Sequence, residues 1–111
     1  MAAGPHTTSA ERGGGRVILV NSGAMISSPA TMGAYSASKA ALGTLVRTLS
    51  NEVASTGVLV NGVTLGPVQG ENYSQFVPGE TDEEKEAVVD ERGRALPLGH
   101  IPTPDECAGA V

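Results

Sequence analysis

Two short, uninterrupted apolar runs stand out along the chain: "VILV" (Val17–Val20) and "VLV" (Val58–Val60). Each lies between glycine-containing or polar segments. Runs of this length, without polar alternation, read as strands covered on both faces, as in the middle of a parallel sheet. Between them the pattern changes period. Leu42, Leu45, Val46, Leu49 and Val53 recur at helical spacing, so the spacing predicts an amphipathic helix over 34–55. Gly57 is placed to stop it. Ala37, Ala40, Ala41 and Gly43 are small, and would let another element approach closely. Strand, helix and strand in this order make a βαβ unit with parallel strands and a right-handed crossover.

Outside this unit the pattern is mostly polar. Met1–Gly15 offers little to bury and reads as a linker-like or disordered segment. "GAMISSPATMG" (23–33) reads as a loop, and "VQGENYSQFVPGE" (68–80) as a long irregular one. "TDEEKEAVVDERG" (81–93) opens with a capping box, Thr81 to Glu84. Acidic residues fill its first turn, and Gly93 is expected to close the helix. "TPDECAGAV" (103–111) opens another helix with Thr103 as cap, Pro104 at the first position and Glu106 at the third. The chain stops barely two turns into it, as a domain cut short would. The expected organisation is an incomplete α/β domain over 16–111: one βαβ unit of a Rossmann-like, doubly wound parallel sheet, plus C-terminal helices. Two strands apolar on both faces and one long helix cannot cover each other. The isolated chain is expected to be partly unfolded, aggregation-prone or dependent on a partner.

Charge and composition narrow the function. Seven basic against twelve acidic residues leave a net charge of −5. With no basic stripe, the chain is a poor match to a nucleic-acid backbone. The acidic excess is local to 80–91 and reads as a solvated face. Cys107 is the single cysteine, so no intrachain disulfide and no zinc-ligand spacing is expected. Neither a signal-like segment nor a membrane-length apolar run occurs, and a cytoplasmic location fits.

Candidate chemistry sits at the start of the predicted helix. Tyr35 and Lys39 are four residues apart and share one helix face. A free phenol titrates near 10, but a neighbouring ammonium favours the phenolate. Such a pair can pass a proton to or from an alcohol. By spacing alone the favoured reading is a solvent-facing pair without a chemical role. Ser22, thirteen residues earlier, ends the first strand. In a βαβ unit the carboxyl end of a strand and the amino end of the next helix share the edge where ligands sit. Ser22 and Tyr35 can therefore converge there. The alternative for Ser22 is a turn serine that bonds its own backbone.

These residues bring out a resemblance. "GRVILVNS" is similar to the fifth strand of the short-chain dehydrogenases/reductases, ending at the catalytic serine. "YSASKAAL" matches their Tyr-x-x-x-Lys signature. "VLVNGVTLGPV" looks like their sixth strand and the Gly-Pro-Val turn that follows. "LPLGHIPTPDECAGAV" looks like the segment leading to their last helix. The resemblance implies an NAD(P)-dependent oxidoreductase that interconverts a small-molecule carbonyl and an alcohol. It implies that Ser22 positions the substrate oxygen, Tyr35 is the general acid/base, and Lys39 assists Tyr35 and binds the nicotinamide ribose. Gly66 and Val68 would lie against the nicotinamide of NAD or NADP. The region 73–94, with Tyr73, Phe76 and Val77, would cover the substrate.

The chain also departs from the family. Leu65–Gly66 stands where the family has Pro-Gly, and Gly70 where a threonine is common. The glycine-rich turn that holds a pyrophosphate must follow a strand, whereas Gly13–Gly15 precedes one. A second expectation is a non-catalytic module that oligomerises through the 34–55 helix, with copies of itself or with full-length relatives.

Overall fold

The computed structural model describes residue 11 and residues 13–111, apart from the side chain of residue 72. Most of the expected linker-like segment 1–15 lies outside the described residues, and Gly15 already begins a strand. The architecture is α/β. The chain divides into two compact units, 1–64 and 65–111.

The first unit is the βαβ core. Strand β1 spans Gly15–Ser22, helix α1 Ala24–Ser27, helix α2 Gly33–Val53, and strand β2 Val58–Leu65, whose last residue falls in the second unit. The two strands pair in a parallel sheet. Two glycines allow both strands to start at the same end. A Cβ on Gly14 would lie 3.2 Å from the Gly57 carbonyl oxygen, and one on Gly57 would lie 3.1 Å from that of Gly13. Gly57 also has φ 76°, left-handed backbone that ends the single 3-10 turn Ala54–Thr56 after α2. The helix stop read from the sequence is therefore a Gly57 turn that also brings the strand starts together.

Helix α2 lies along the sheet through its apolar stripe. Leu42, Val46, Leu49 and Val53 are half-buried, and the Val46 side chain packs over Gly62 of β2. The small residues divide between two faces. Ala37, Ala40 and Ala41 are exposed, whereas Gly43 faces the Met25 side chain of α1. The predicted loop 23–33 contains α1, a four-residue helix too short to carry a periodic pattern. Between α1 and α2, Ser28 (φ 43°) and Thr31 (φ 68°) take left-handed backbone without being glycine. Such positions cost about 1–3 kcal/mol each, so the path from β1 to α2 is held by its surroundings.

The strands are incompletely covered, as two doubly apolar strands with one long helix must be. Val17, Ile18 and Val20 of β1 are 42%, 37% and 49% exposed, and Leu59 of β2 is 50% exposed. Neighbouring residues of a strand point to opposite faces, so both faces of β1 retain open apolar surface. Within this unit, α2 covers one side of the sheet.

The second unit holds α3 (Glu71–Ser74), α4 (Asp82–Arg94) and α5 (Pro104–Ala108). Its core includes Val77 and Ile101, 4% and 1% exposed. Both capping boxes form as the sequence requires: Thr81 Oγ1 accepts from Glu84 N–H, and Thr103 Oγ1 from Glu106 N–H. The returning carboxylates accept backbone N–H groups, Glu84 from Glu80 at 2.7 Å and Glu106 from Thr103 at 2.8 Å. These bonds hold both carboxyls below the usual glutamate range; the His100 ring, 2.9 Å from Glu106, adds to the effect there. Gly93 does not close α4, which runs on to Arg94. A Cβ at Gly93 would meet His100 Cα at 2.8 Å and Ile101 N at 2.9 Å. The glycine is there because the 99–102 connector crosses directly over it.

Candidate active site

Three of the sequence-derived site residues belong to the first unit. Ser22 is the last residue of β1 and half-buried. Its Oγ accepts from the Ala24 N–H at 3.2 Å, the local turn bond typical of serine. The hydroxyl proton stays free to be donated elsewhere. Tyr35 lies in the first turn of α2 and is 43% exposed. Lys39 follows one turn later, with Nζ 5.5 Å from the centre of the Tyr35 ring. That distance is within cation–π range. Helical spacing thus brings the phenol and the ammonium together.

The join between β1 and α2 depends on a residue that sequence reasoning missed. Asn21 is 5% exposed. Its Oδ1 accepts from the Ser22 N–H at 2.8 Å, and its Nδ2 donates to the Lys39 carbonyl at 2.9 Å. The available signal was an amide placed at the end of an apolar strand, where a buried polar group needs partners. Ser36, next to Tyr35, is 6% exposed, and its hydroxyl has no partner among the described residues.

The remaining predicted residues belong to the second unit. Gly66 follows β2 directly and is exposed; Val68 is half-buried. Nothing lies within 4 Å of a Cβ placed on Gly66, so its backbone is open to a ligand. The next residue, Gln69, anchors this segment to the 101–102 connector. Its N–H donates to the Pro102 carbonyl at 2.9 Å, and its side-chain amide to the Ile101 carbonyl. Within 73–94, Tyr73 accepts from Arg92 Nη1 at 3.2 Å, which ties α3 to α4. Phe76 is 70% exposed, but Val77 is buried in the core. Val77 therefore serves packing and is not a surface for a ligand. A cleft of about 320 Å³ between α3 and α4 is lined by Tyr73, Lys85, Glu86 and Val89 among others.

Among the described residues no His, Cys, Asp or Glu side chains gather as a metal site. No described helix is long and apolar enough to cross a membrane.

A parallel βαβ unit with a serine at the strand end and a Tyr–Lys pair on the following helix defines a class of Rossmann-fold proteins. A family model described as short chain dehydrogenase matches residues 2–81, and the chain belongs to that family. It is 42% identical over 89 residues to an NADPH-dependent aldehyde reductase-like protein, chloroplastic, of Arabidopsis thaliana, covering 80% of this chain and 30% of that protein. It is 32% identical over 106 residues to dehydrogenase/reductase SDR family member 4 of Caenorhabditis elegans, covering 96% of this chain and 40% of that one. Among solved structures, a gluconate 5-dehydrogenase from Burkholderia cenocepacia in complex with NADP and tartrate superposes with a TM-score of 0.74. It is 25% identical, over 92% of this chain and 38% of that one. The chain thus spans well under half the length of the relatives it matches.

Proposed function

We propose that this chain carries the proton-transfer portion of an NAD(P)-dependent oxidoreductase acting on a small-molecule carbonyl or alcohol. The observation that carries this reading is the Lys39 ammonium 5.5 Å from the Tyr35 ring, on the helix that follows Ser22, in a chain of the short chain dehydrogenase family. Ser22 donates its hydroxyl proton to the substrate oxygen and holds it for reaction. Tyr35 gives its phenolic proton to that oxygen as it becomes an alcohol, or takes the proton in the reverse direction. The Lys39 ammonium stands over the Tyr35 ring, and its spare donors suit ribose hydroxyls. Tyr35, Lys39, Gly66 and Val68 would hold the nicotinamide end of NAD or NADP. Within the first unit, the exposed phenol and the adjacent ammonium support the Tyr35 and Lys39 part of this reading; Gly66 and Val68 enter it through the family resemblance alone. The cofactor, when bound, supplies or accepts the hydride. Among the described residues no strand is followed by a glycine-rich turn of the kind that holds a pyrophosphate.

Two measurements test this. Titration of NADH or NADPH fluorescence with the 111-residue chain should show no saturation. Saturable binding would mean that these residues hold the cofactor unaided. The nucleotide sequence upstream of the reading frame should encode a glycine-rich strand–turn–helix. In that continuous protein, Tyr35→Phe should lower carbonyl reduction about 10²- to 10⁴-fold, the usual worth of a general acid. Full turnover by Tyr35→Phe would refute the assignment.

A second reading rests on the exposed Ala37, Ala40 and Ala41 of α2, with Leu45 44% exposed beside them. This face suits close approach of another helix, from a second copy or a full-length relative. Sedimentation of the chain with and without an intact family member tests it; the absence of any self-associated or mixed species would end it.

A further inference from the structure

Asn21 makes contacts that neither Ser22, Tyr35 nor Lys39 makes. Its side chain spans from the end of β1 to the turn of α2 that bears the Tyr–Lys pair. On one side Oδ1 holds the Ser22 N–H at 2.8 Å; on the other Nδ2 reaches the Lys39 carbonyl at 2.9 Å and lies 3.1 Å from the Met25 sulfur. In a regular helix the Lys39 carbonyl also receives the Gly43 N–H, and a carbonyl oxygen has two lone pairs, so both bonds are possible. Gly43 makes the approach easy. A Cβ there would sit 3.5 Å from Asn21 Nδ2 and 3.2 Å from the Met25 sulfur.

We propose that Asn21 is a positioning residue, which fixes the Ser22 end of β1 against the Tyr35–Lys39 turn of α2 and so sets the reach between the serine hydroxyl and the phenol. It has no role as acid, base or donor to substrate. The proposal rests on the reading of Ser22, Tyr35 and Lys39 as site residues. Shape alone would be satisfied by an aliphatic side chain of similar volume; the amide is needed because one of its ends must accept and the other must donate.

Two variants of the 111-residue chain separate these requirements. Asn21→Leu keeps the volume and removes both bonds. Asn21→Asp keeps the acceptor for Ser22 and turns a second acceptor toward the Lys39 carbonyl. A protonated aspartic acid regains a donor, so acidification should restore the missing bond. Amide hydrogen exchange at Ser22 reads the first bond. Fluorine NMR of 3-fluorotyrosine reads the second through Tyr35, with Tyr73 in the other unit as internal control. The expected result is a Ser22 amide that exchanges at least about 10-fold faster in Asn21→Leu and is unchanged in Asn21→Asp. The Tyr35 resonance should move in both variants while Tyr73 stays in place. In Asn21→Asp alone, the Tyr35 resonance should return toward its wild-type position on acidification. The proposal is overturned if the wild-type Ser22 amide is unprotected or if Tyr35 moves in neither variant. It is also overturned if the Asp variant fails to recover in acid, or if Tyr35 and Tyr73 collapse together. Full turnover by Tyr35→Phe would remove the chemical reading and leave these spectra as they are.

Discussion

Replacing Gly93 with alanine sets two local effects against each other. Helix propensity alone favours the change by about 1 kcal/mol, because alanine loses less backbone freedom in a helix. The structure opposes it. The new Cβ would stand 2.8 Å from His100 Cα, 2.9 Å from Ile101 N and 3.1 Å from the His100 carbonyl carbon. All three are backbone atoms, so no rotamer change relieves the contact and the whole connector must lift. Overpacking of this kind costs about 1–3 kcal/mol. Contact with three backbone atoms at once places Gly93→Ala near the top of that range, leaving about 2 kcal/mol net destabilisation. Ile101, 1% exposed, would be lifted with the connector. The assay is native-state hydrogen exchange of the Gln69 amide, which donates to the Pro102 carbonyl at 2.9 Å and reports whether the connector stays docked. About 2 kcal/mol corresponds to roughly 30-fold faster exchange. Ala87→Gly, on an exposed position of the same helix, should lose about 1 kcal/mol through propensity alone. Slower Gln69 exchange in Gly93→Ala would refute the reasoning, since propensity would then outweigh the contact.

The Glu106 carboxyl is held low first by the Thr103 N–H and then by the His100 ring. A depressed carboxyl lends its stability above its unfolded value and loses it as pH falls through the folded one. The α5 cap should therefore loosen in acid, below the ordinary glutamate value of about 4.3. A carbon-detected NMR titration should show the Glu106 midpoint rising toward that value in His100→Ala, and an unmoved midpoint would refute the His100 contribution. Thr81→Ala removes the oxygen that accepts the Glu84 N–H and should cost α4 about 1 kcal/mol, read as faster exchange of the Glu84 amide. Equal exchange in the two chains would show that the cap contributes nothing.

Features encoded within a few residues were the legible ones. The α2 stripe repeats over several turns, so its extent could be read to within two residues at the C-terminal end. Both capping boxes are four-residue patterns with one geometric solution, and both formed. Tyr35 and Lys39 had to meet because the helix carries them. Features that depend on a distant segment were not legible. Gly93 looked like a helix stop because glycine usually is one; the connector above it leaves no mark within 81–93. Gly43 looked like one of the small residues beside Ala40, and only the fold shows that it faces Met25. Asn21 was passed over because its partners lie one, four and eighteen residues away, and only the last ties it to α2. Val77 looked like a lid residue because nothing local says that it is buried.

The open apolar faces of β1 and β2 have a consequence for how the chain would fare in a cell. Val17, Ile18, Val20 and Leu59 present the kind of surface that chaperones hold and proteases follow. A polypeptide of these residues alone should be cleared faster than one in which further strands or a second chain cover the same faces. Its level in a cell would then read cover and not chemistry, whether or not a single hydride is ever transferred.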